Sequence, residues 1–257
     1  MKILKKQKLA EDIFLLTLQS PEISKKAKPG HFVLLQLEEK SPRIPFPIAD
    51  AERNTISIIF EAKSKHTRAL AAARKNQEIF YGLGPLGNNR EVKEIGKIVL
   101  VGEGAGIGTL YFYAKTLKAA NNRVISLLGG LSKKEMFWQD KIAKVSDKMF
   151  VIEPKSEFSC PLTHALEQIL RKIRIDEVIS FTSPQVMKSL AHATKLRTKN
   201  CAYLTATMMD GIGMCGSCRI HINGESKLCC VQGPEFDAHT VDWDNYLYRL
   251  EEFNRKK

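Results

Sequence analysis

One aspartate and three cysteines in the last fifth of the chain have types and spacing that suit metal chemistry. Asp210, Cys215 and Cys218 are arranged D-x4-C-x2-C, and Cys229 and Cys230 follow after a short hairpin-like segment. Thiolates bind ferric iron strongly, and the sulfides of an iron–sulfur cluster need backbone N–H donors close by. Gly211, Gly213 and Gly216 let the backbone bend toward a metal with no Cβ in the way. The pattern points to an iron–sulfur centre and hence to electron transfer. Zinc is the rival reading. Structural zinc sites usually show two paired Cys/His knuckles, whereas here one C-x2-C meets two adjacent cysteines, of which one is expected to face the metal. His221 and His239 keep zinc as an alternative. Cys230 is preferred over Cys229, because the V-Q-G-P that follows it helps close the loop, and a contribution from Cys229 stays open.

Three other segments have ligand-binding character. Gly102, Gly104, Gly106 and Gly108 follow the apolar run 98–101 and precede a helical segment. Such a loop lets phosphate approach N–H groups at a helix N-terminus; a tight strand–helix turn with no ligand is the plainer alternative. No acidic residue closes the second strand to bind a ribose hydroxyl, and Ser132, Lys133 and Lys134 just beyond it favour a 2′-phosphate. Arg43 stands ahead of the extended stretch Ile44, Pro45, Phe46, Pro47. The guanidinium fork suits a flavin pyrophosphate and the backbone would meet the isoalloxazine edge; a Pro-rich connection between strands is the alternative. Thr67, after His66, opens a helix and serves either a pyrophosphate or simply as an N-cap.

These segments need a scaffold. With 257 residues and 44% hydrophobic content, the chain has room for two compact domains and an appendage. Short apolar runs broken by Pro and Gly up to about residue 93 predict a small β-barrel. From 97 onward, strands near 98–101, 124–128, 149–152 and 177–180 alternate with helices, including 162–172 and 184–195, which predicts a parallel sheet. No apolar run is long enough to span a membrane, and the N-terminus lacks the apolar core of a signal peptide, so a cytoplasmic protein is expected. Four of the six cysteines cluster between 215 and 230, which favours metal over a disulfide framework; Cys160 and Cys201 read as small buried side chains. The net charge of +12 is dispersed and carries no nucleic-acid motif; an acidic protein partner suits it at least as well.

In this order the segments resemble the ferredoxin–NADP reductase superfamily, and within it the electron-transfer subunits of dihydroorotate dehydrogenase B and their ferredoxin:NADP oxidoreductase relatives. M-x-D-G-I-G-M-C-G-S-C-R and C-V-Q-G-P-E-F-D-A-H-x-V-D-W, between Met208 and Trp243, carry the resemblance most specifically. It implies a ferredoxin–NADP reductase-like fold: an FAD-binding β-barrel over 1–95, an NAD(P)-binding-like α/β domain over 96–204, and a 2Fe–2S subdomain over 205–257. It implies Asp210, Cys215, Cys218 and Cys230 as cluster ligands, the aspartate being the mark of the ferredoxin:NADP oxidoreductase branch. It places FAD on Arg43 to Asp50, on Ile59, Phe60 and Glu61, on His66 and Thr67, and on the G-P-L-G that holds Gly84 and Pro85. Pro47 and His66 stand where the family has a hydroxyl residue and a glycine. On the nicotinamide side, Thr109 replaces a proline, and the segment 151–157 lacks the family's glycines. The expected function is an oxidoreductase subunit that passes electrons between NAD(P)H, FAD and a 2Fe–2S cluster to a larger flavin and iron–sulfur catalytic subunit, with a ferredoxin as a further candidate partner. A dihydroorotate dehydrogenase subunit, or a relay subunit without nicotinamide binding, are the alternatives.

Overall fold

The structure, a computed structural model, describes residues 1–130, 137–153 and 160–255, with side chains to residue 252. Alternating apolar and polar positions build the first part. β1 (Ile3–Ala10), β2 (Ile13–Gln19), β3 (Phe32–Gln36), β4 (Ile44–Glu52), β5 (Thr55–Glu61) and β6 (Tyr81–Leu86) form one antiparallel sheet in the order β1-β2-β5-β4-β3-β6. α1 (Pro21–Lys26) and α2 (Lys65–Ala72) cover its connections. The N–H groups of Ile3 and Ile79 donate to Gln77 O and Met1 O, tying β1 to the chain ahead of β6 and rolling the sheet into a barrel. Leu16, Leu18, Val33, Phe46, Ile56 and Ile58 fill it.

β4 divides its loyalty. Ile48 to Glu52 pair with β5, with a register slip between Ile48 and Asp50, and Ile44 to Pro47 pair with β3 alone. The facing stretch of β5, Ile59 to Glu61, pairs only with β2. Two strand edges are therefore parted. Pro45 and Pro47 fit there because a proline has no N–H to lose at an unpaired edge.

The second sheet contains β7 (Lys97–Glu103), β8 (Arg123–Gly129), β9 (Lys148–Ile152), β10 (Glu177–Phe181) and β11 (Lys199–Tyr203), all parallel. α3 (Gly106–Ala119), α4 (Gln139–Ala143), α5 (Pro161–Lys172) and α6 (Pro184–Thr194) connect them. β7, β8 and β10 are covered on both faces, which is why they read as unbroken apolar runs. The chain then leaves the sheet, forms the hairpin β12 (Arg219–Ile222) and β13 (Glu225–Leu228) and the turn of helix α7 (Cys229–Gln232), and returns as β14 (Glu235–Asp237) antiparallel to β11. The order is β14-β11-β10-β7-β8-β9. α8 (Trp243–Arg255) closes the chain. The C-terminal stretch is thus woven into the parallel sheet. It shares a core with the barrel, in which Phe32 and Leu34 pack among Met208, Cys218, Cys229, Trp243 and Tyr246.

α3 joins the two sheets. A Cβ on Gly108 would lie 2.7 Å from Ile59 Cδ1 and 3.0 Å from Ala49 Cβ, so only glycine lets the helix lie this close to the barrel. Lys115 on α3 donates to Asp50 and Glu52 at 3.0 and 2.8 Å. Deeper in, Arg90 binds Glu177 and Glu235, Tyr113 Oη donates to Glu235 at 2.8 Å, and Lys199 pairs with Glu177 at 3.0 Å. Among the described residues, no helix is long and apolar enough to cross a membrane.

Candidate functional site

The cysteine loop begins where β11 ends and is held from below. The N–H of Thr205 donates to Tyr246 Oη at 3.0 Å, and that hydroxyl donates to Thr205 O at 2.6 Å. Gly211, Gly213 and Gly216 have φ of +72°, +91° and +66°, a region costly for residues with a Cβ. The loop curls so that the Asp210 carboxylate accepts the N–H of Ile212 at 3.0 Å and that of Cys215. Slight burial works against ionisation there, but these N–H bonds outweigh it and hold the Asp210 carboxyl below its ordinary value. The Ser217 hydroxyl, 3.1 Å from Cys215 Sγ, chiefly draws that thiol below its ordinary value when its one proton faces the sulfur; Thr207 O, also at 3.1 Å, is the competing acceptor.

Cys218 and Cys230 are buried with their sulfurs 3.3 Å apart. Burial first, then the bond to Cys218, pushes the Cys230 thiol up to about 12. Cys229 turns the other way. It is fully buried, its Sγ donates to Leu204 O at 3.4 Å, and burial pushes its thiol far up. The four expected ligands therefore meet as two pairs, Asp210 with Cys215 and Cys218 with Cys230. Among the described residues, no three His, Cys, Asp or Glu side chains converge as they would on one metal ion. His239 is engaged elsewhere, between Thr194 Oγ1 at 3.0 Å and Asp237 at 3.3 Å. His221 lies on the hairpin strand β12.

This donor set fits a two-iron cluster better than a single ion. D-x4-C-x2-C…C has the plant-type ferredoxin spacing with an aspartate first, and a binuclear centre takes its ligands as two pairs. Metal binding would displace the thiol protons, since the ligand is the thiolate.

The parted edges of β4 and β5 open into a cleft of about 700 Å³. Ile44, Pro45, Phe46, Pro47, Ile59, Phe60, Glu61 and Thr67 line its barrel side. Glu103, Gly104, Gly106, Phe181, Ser183, Tyr203 and Thr205 line the other. The size is within the usual range for a cofactor pocket. It lies at the C-terminal ends of β7 and β10, between which the strand order reverses, where ligands of open α/β sheets bind. The fit to a flavin rests on these free strand edges, where β5 keeps N–H and C=O groups and Pro45 and Pro47 of β4 leave only carbonyls to meet a polar ring edge.

Other expected residues lie apart. Arg43 stacks on Tyr81, 4.7 Å from the ring centroid, and does not line the cleft. His66 lines a smaller hollow of about 240 Å³ beside it. Thr67 does not cap its helix. Ser64 does, and Thr67 completes a capping box, its N–H donating to Ser64 Oγ at 3.1 Å and its Oγ1 accepting the Ser64 N–H at 3.0 Å. Gly84 and Pro85 lie in β6, with Gly84 pressed on Val33. Of the four loop glycines, Gly104 and Gly106 line the cleft. Gly102 packs on Leu110 and Gly108 on the barrel. Ser132 to Lys134, and most of the segment 151–157, fall outside the described residues. Cys201 is buried as expected, whereas Cys160 is half-buried and accepts from Thr163. Glu103, Tyr203, Thr205 and Tyr246 were not foreseen. Glu103 had a signal, a carboxylate inside a glycine loop; Tyr246 had none.

Residues 205–242 match the family model described as the iron-sulfur cluster binding domain of dihydroorotate dehydrogenase B. The chain is 35% identical to the dihydroorotate dehydrogenase B (NAD(+)) electron transfer subunit homolog of Thermotoga maritima, over 99% of this chain and 92% of that protein. It superposes with a TM-score of 0.92, at 35% identity, on a chain of the NADH-dependent reduced ferredoxin-NADP oxidoreductase structure, covering 98% of this chain and 92% of that one. The ferredoxin-NADP+ reductase of Plasmodium falciparum shares the fold at a TM-score of 0.60 and 12% identity, over 77% of this chain and 92% of that one.

Proposed function

The chain belongs to the family of dihydroorotate dehydrogenase B electron-transfer subunits, and from that premise we infer which of its residues handle the electrons. It is an electron-transfer subunit of an oxidoreductase, working among NAD(P)H, FAD and a 2Fe–2S cluster and delivering to a larger catalytic partner. When bound, the flavin supplies the conversion between hydride and single-electron chemistry, and the protein supplies position and environment.

Asp210, Cys215, Cys218 and Cys230 hold the cluster. The observation that carries this is the Cys218–Cys230 sulfur pair at 3.3 Å beside a glycine-bent loop, with Cys229 turned away. The edges of β4 and β5 hold the flavin, with Ile44 to Pro47 on one side and Ile59 to Glu61 on the other. Thr205 lines that cleft and starts the chain toward the cluster loop, which gives a short covalent route between the two. The barrel over 1–95, the sheet over 96–204 and the loop region from 205 divide the work among flavin, nucleotide and cluster. Asp210 favours a ferredoxin:NADP oxidoreductase type of complex over a dihydroorotate dehydrogenase, and a ferredoxin is a candidate partner. Six cysteines without a disulfide support a cytoplasmic setting.

Iron, acid-labile sulfide and flavin, measured per chain in protein purified without air, test this reading. About two irons, two sulfides and one FAD are expected, with a brown spectrum. Stoichiometric zinc without visible absorbance would overturn it.

A further inference from the structure

A nicotinamide reaching the flavin must enter the cleft between the ends of β7 and β10, and a carboxylate already bridges that gap. Glu103, the last residue of β7, accepts the Ser183 N–H at 2.6 Å, and Ser183 is the N-cap of α6 on the far side. The two ends are also close at the backbone, since a Cβ on Gly106 would lie 2.0 Å from Phe181 O. A second carboxylate reaches the glycine loop: a Cβ on Gly104 would lie 2.6 Å from Glu61 Oε1. Among the described residues that line the cleft, the charged groups are Glu61, Lys63 and Glu103, and Lys63 pairs with Glu61. Among the described lining residues, the carboxylate that belongs to the glycine loop itself is Glu103, and it faces an incoming pyrophosphate with like charge. The loop's glycines are used for packing: Gly102 against Leu110, Gly106 against Phe181 and Gly108 against Ile59.

We propose that Glu103 is an affinity-setting latch: bonded to Ser183, it spans the ends of β7 and α6 inside the cleft and opposes nicotinamide nucleotides by charge and by occupation. Entry requires the Glu103–Ser183 bond to break and the carboxylate to swing away from the pyrophosphate. This rests on the cofactor assignment above and sets how readily that same cleft accepts its nucleotide.

The test is equilibrium binding of NADH and NADPH to the flavin- and cluster-loaded protein, followed by flavin absorbance, for wild type, Glu103→Gln and Glu103→Ala. Glu103→Gln keeps an acceptor for Ser183 and removes the charge; Glu103→Ala removes both. Both variants are expected to bind nucleotide about tenfold more tightly, the usual scale for relieving a like-charge contact. Tightening in Glu103→Ala alone would support the latch through its bond. Unchanged or weaker binding in both variants overturns it. Flavin, iron and sulfide content of the wild type separates the two failures: cofactors missing there would sink the family-level assignment, whereas full loading with unaltered binding sinks only the latch.

Discussion

Cys229 and Cys230 are neighbours on one helical turn and have opposite surroundings. Successive residues of a helix point about 100° apart, so when Cys230 faces Cys218 its neighbour must face the core under Leu204. Cys230→Ala should lose the cluster absorbance and most of the iron. Cys229→Ala should keep its iron and lose roughly 1 kcal/mol of stability to a small cavity. Iron assay and urea unfolding of the two variants check this, and equal iron loss in both would contradict the assignment. The candidate donor set was legible in the sequence because D-x4-C-x2-C leaves few other readings. The choice within the cysteine pair rested on the following turn, and only the helix phase explains it. The surroundings of Arg43 and Thr67 were illegible, because the Tyr81 ring and the Ser64 hydroxyl that engage them are packing and capping partners no motif announces.

The elements that matter most are β4, which parts from β5, and α3, which fastens the sheets together. Apolar runs announced β5, whereas β4 showed in the sequence only as an extended, Pro-rich stretch. The slip between Ile48 and Asp50 that opens the cleft depends on register, which alternation does not reveal. α3 is held to β4 by Lys115, and its pairing has a pH signature. The Lys115 bond holds the Glu52 carboxyl below its ordinary 4.5. Lys115 is raised: burial opposes its charge, and the bonds to Glu52 and Asp50 outweigh that. A depressed carboxyl stabilises the fold above its unfolded value and loses that contribution as pH falls through the folded one. A raised lysine contributes fully below 10.5 and loses it above. The contribution is therefore complete from about pH 5 to 10 and fades below 4.5. Lys115→Met should cost at most about 1 kcal/mol in that window, the pair being partly exposed. The gap in Tm between variant and wild type should narrow from pH 6 to pH 3.5; a gap that stays constant would contradict the pairing.

Across the whole molecule, Arg90 binds parts far apart in sequence. It comes from the connection between the sheets and binds both Glu177 at the start of β10 and Glu235 in β14, with Lys199 supplying the second positive charge and Tyr113 a hydroxyl. Arg90 and Glu177 are 6% and 1% exposed, so removing the arginine leaves two largely buried carboxylates with one positive charge, Lys199, between them. Arg90→Met should destabilise by about 3–5 kcal/mol, read as a lower denaturant midpoint. A loss under 1 kcal/mol would show that the network contributes little. None of this was visible in the chain as text, because the partners are 87 and 145 residues away.

Tyr246 sets a distance. Its phenol grips both the N–H and the carbonyl of Thr205, at the seam between the flavin cleft and the metal-ligand loop, from 41 residues further along the chain. Tunnelling rates decay steeply with separation, and slack at that seam would blur the gap an electron must jump. Held at both its N–H and its carbonyl by the last helix, Thr205 fixes where the cysteine loop departs from the cleft it lines, which would keep the two terminals of the circuit at a constant remove.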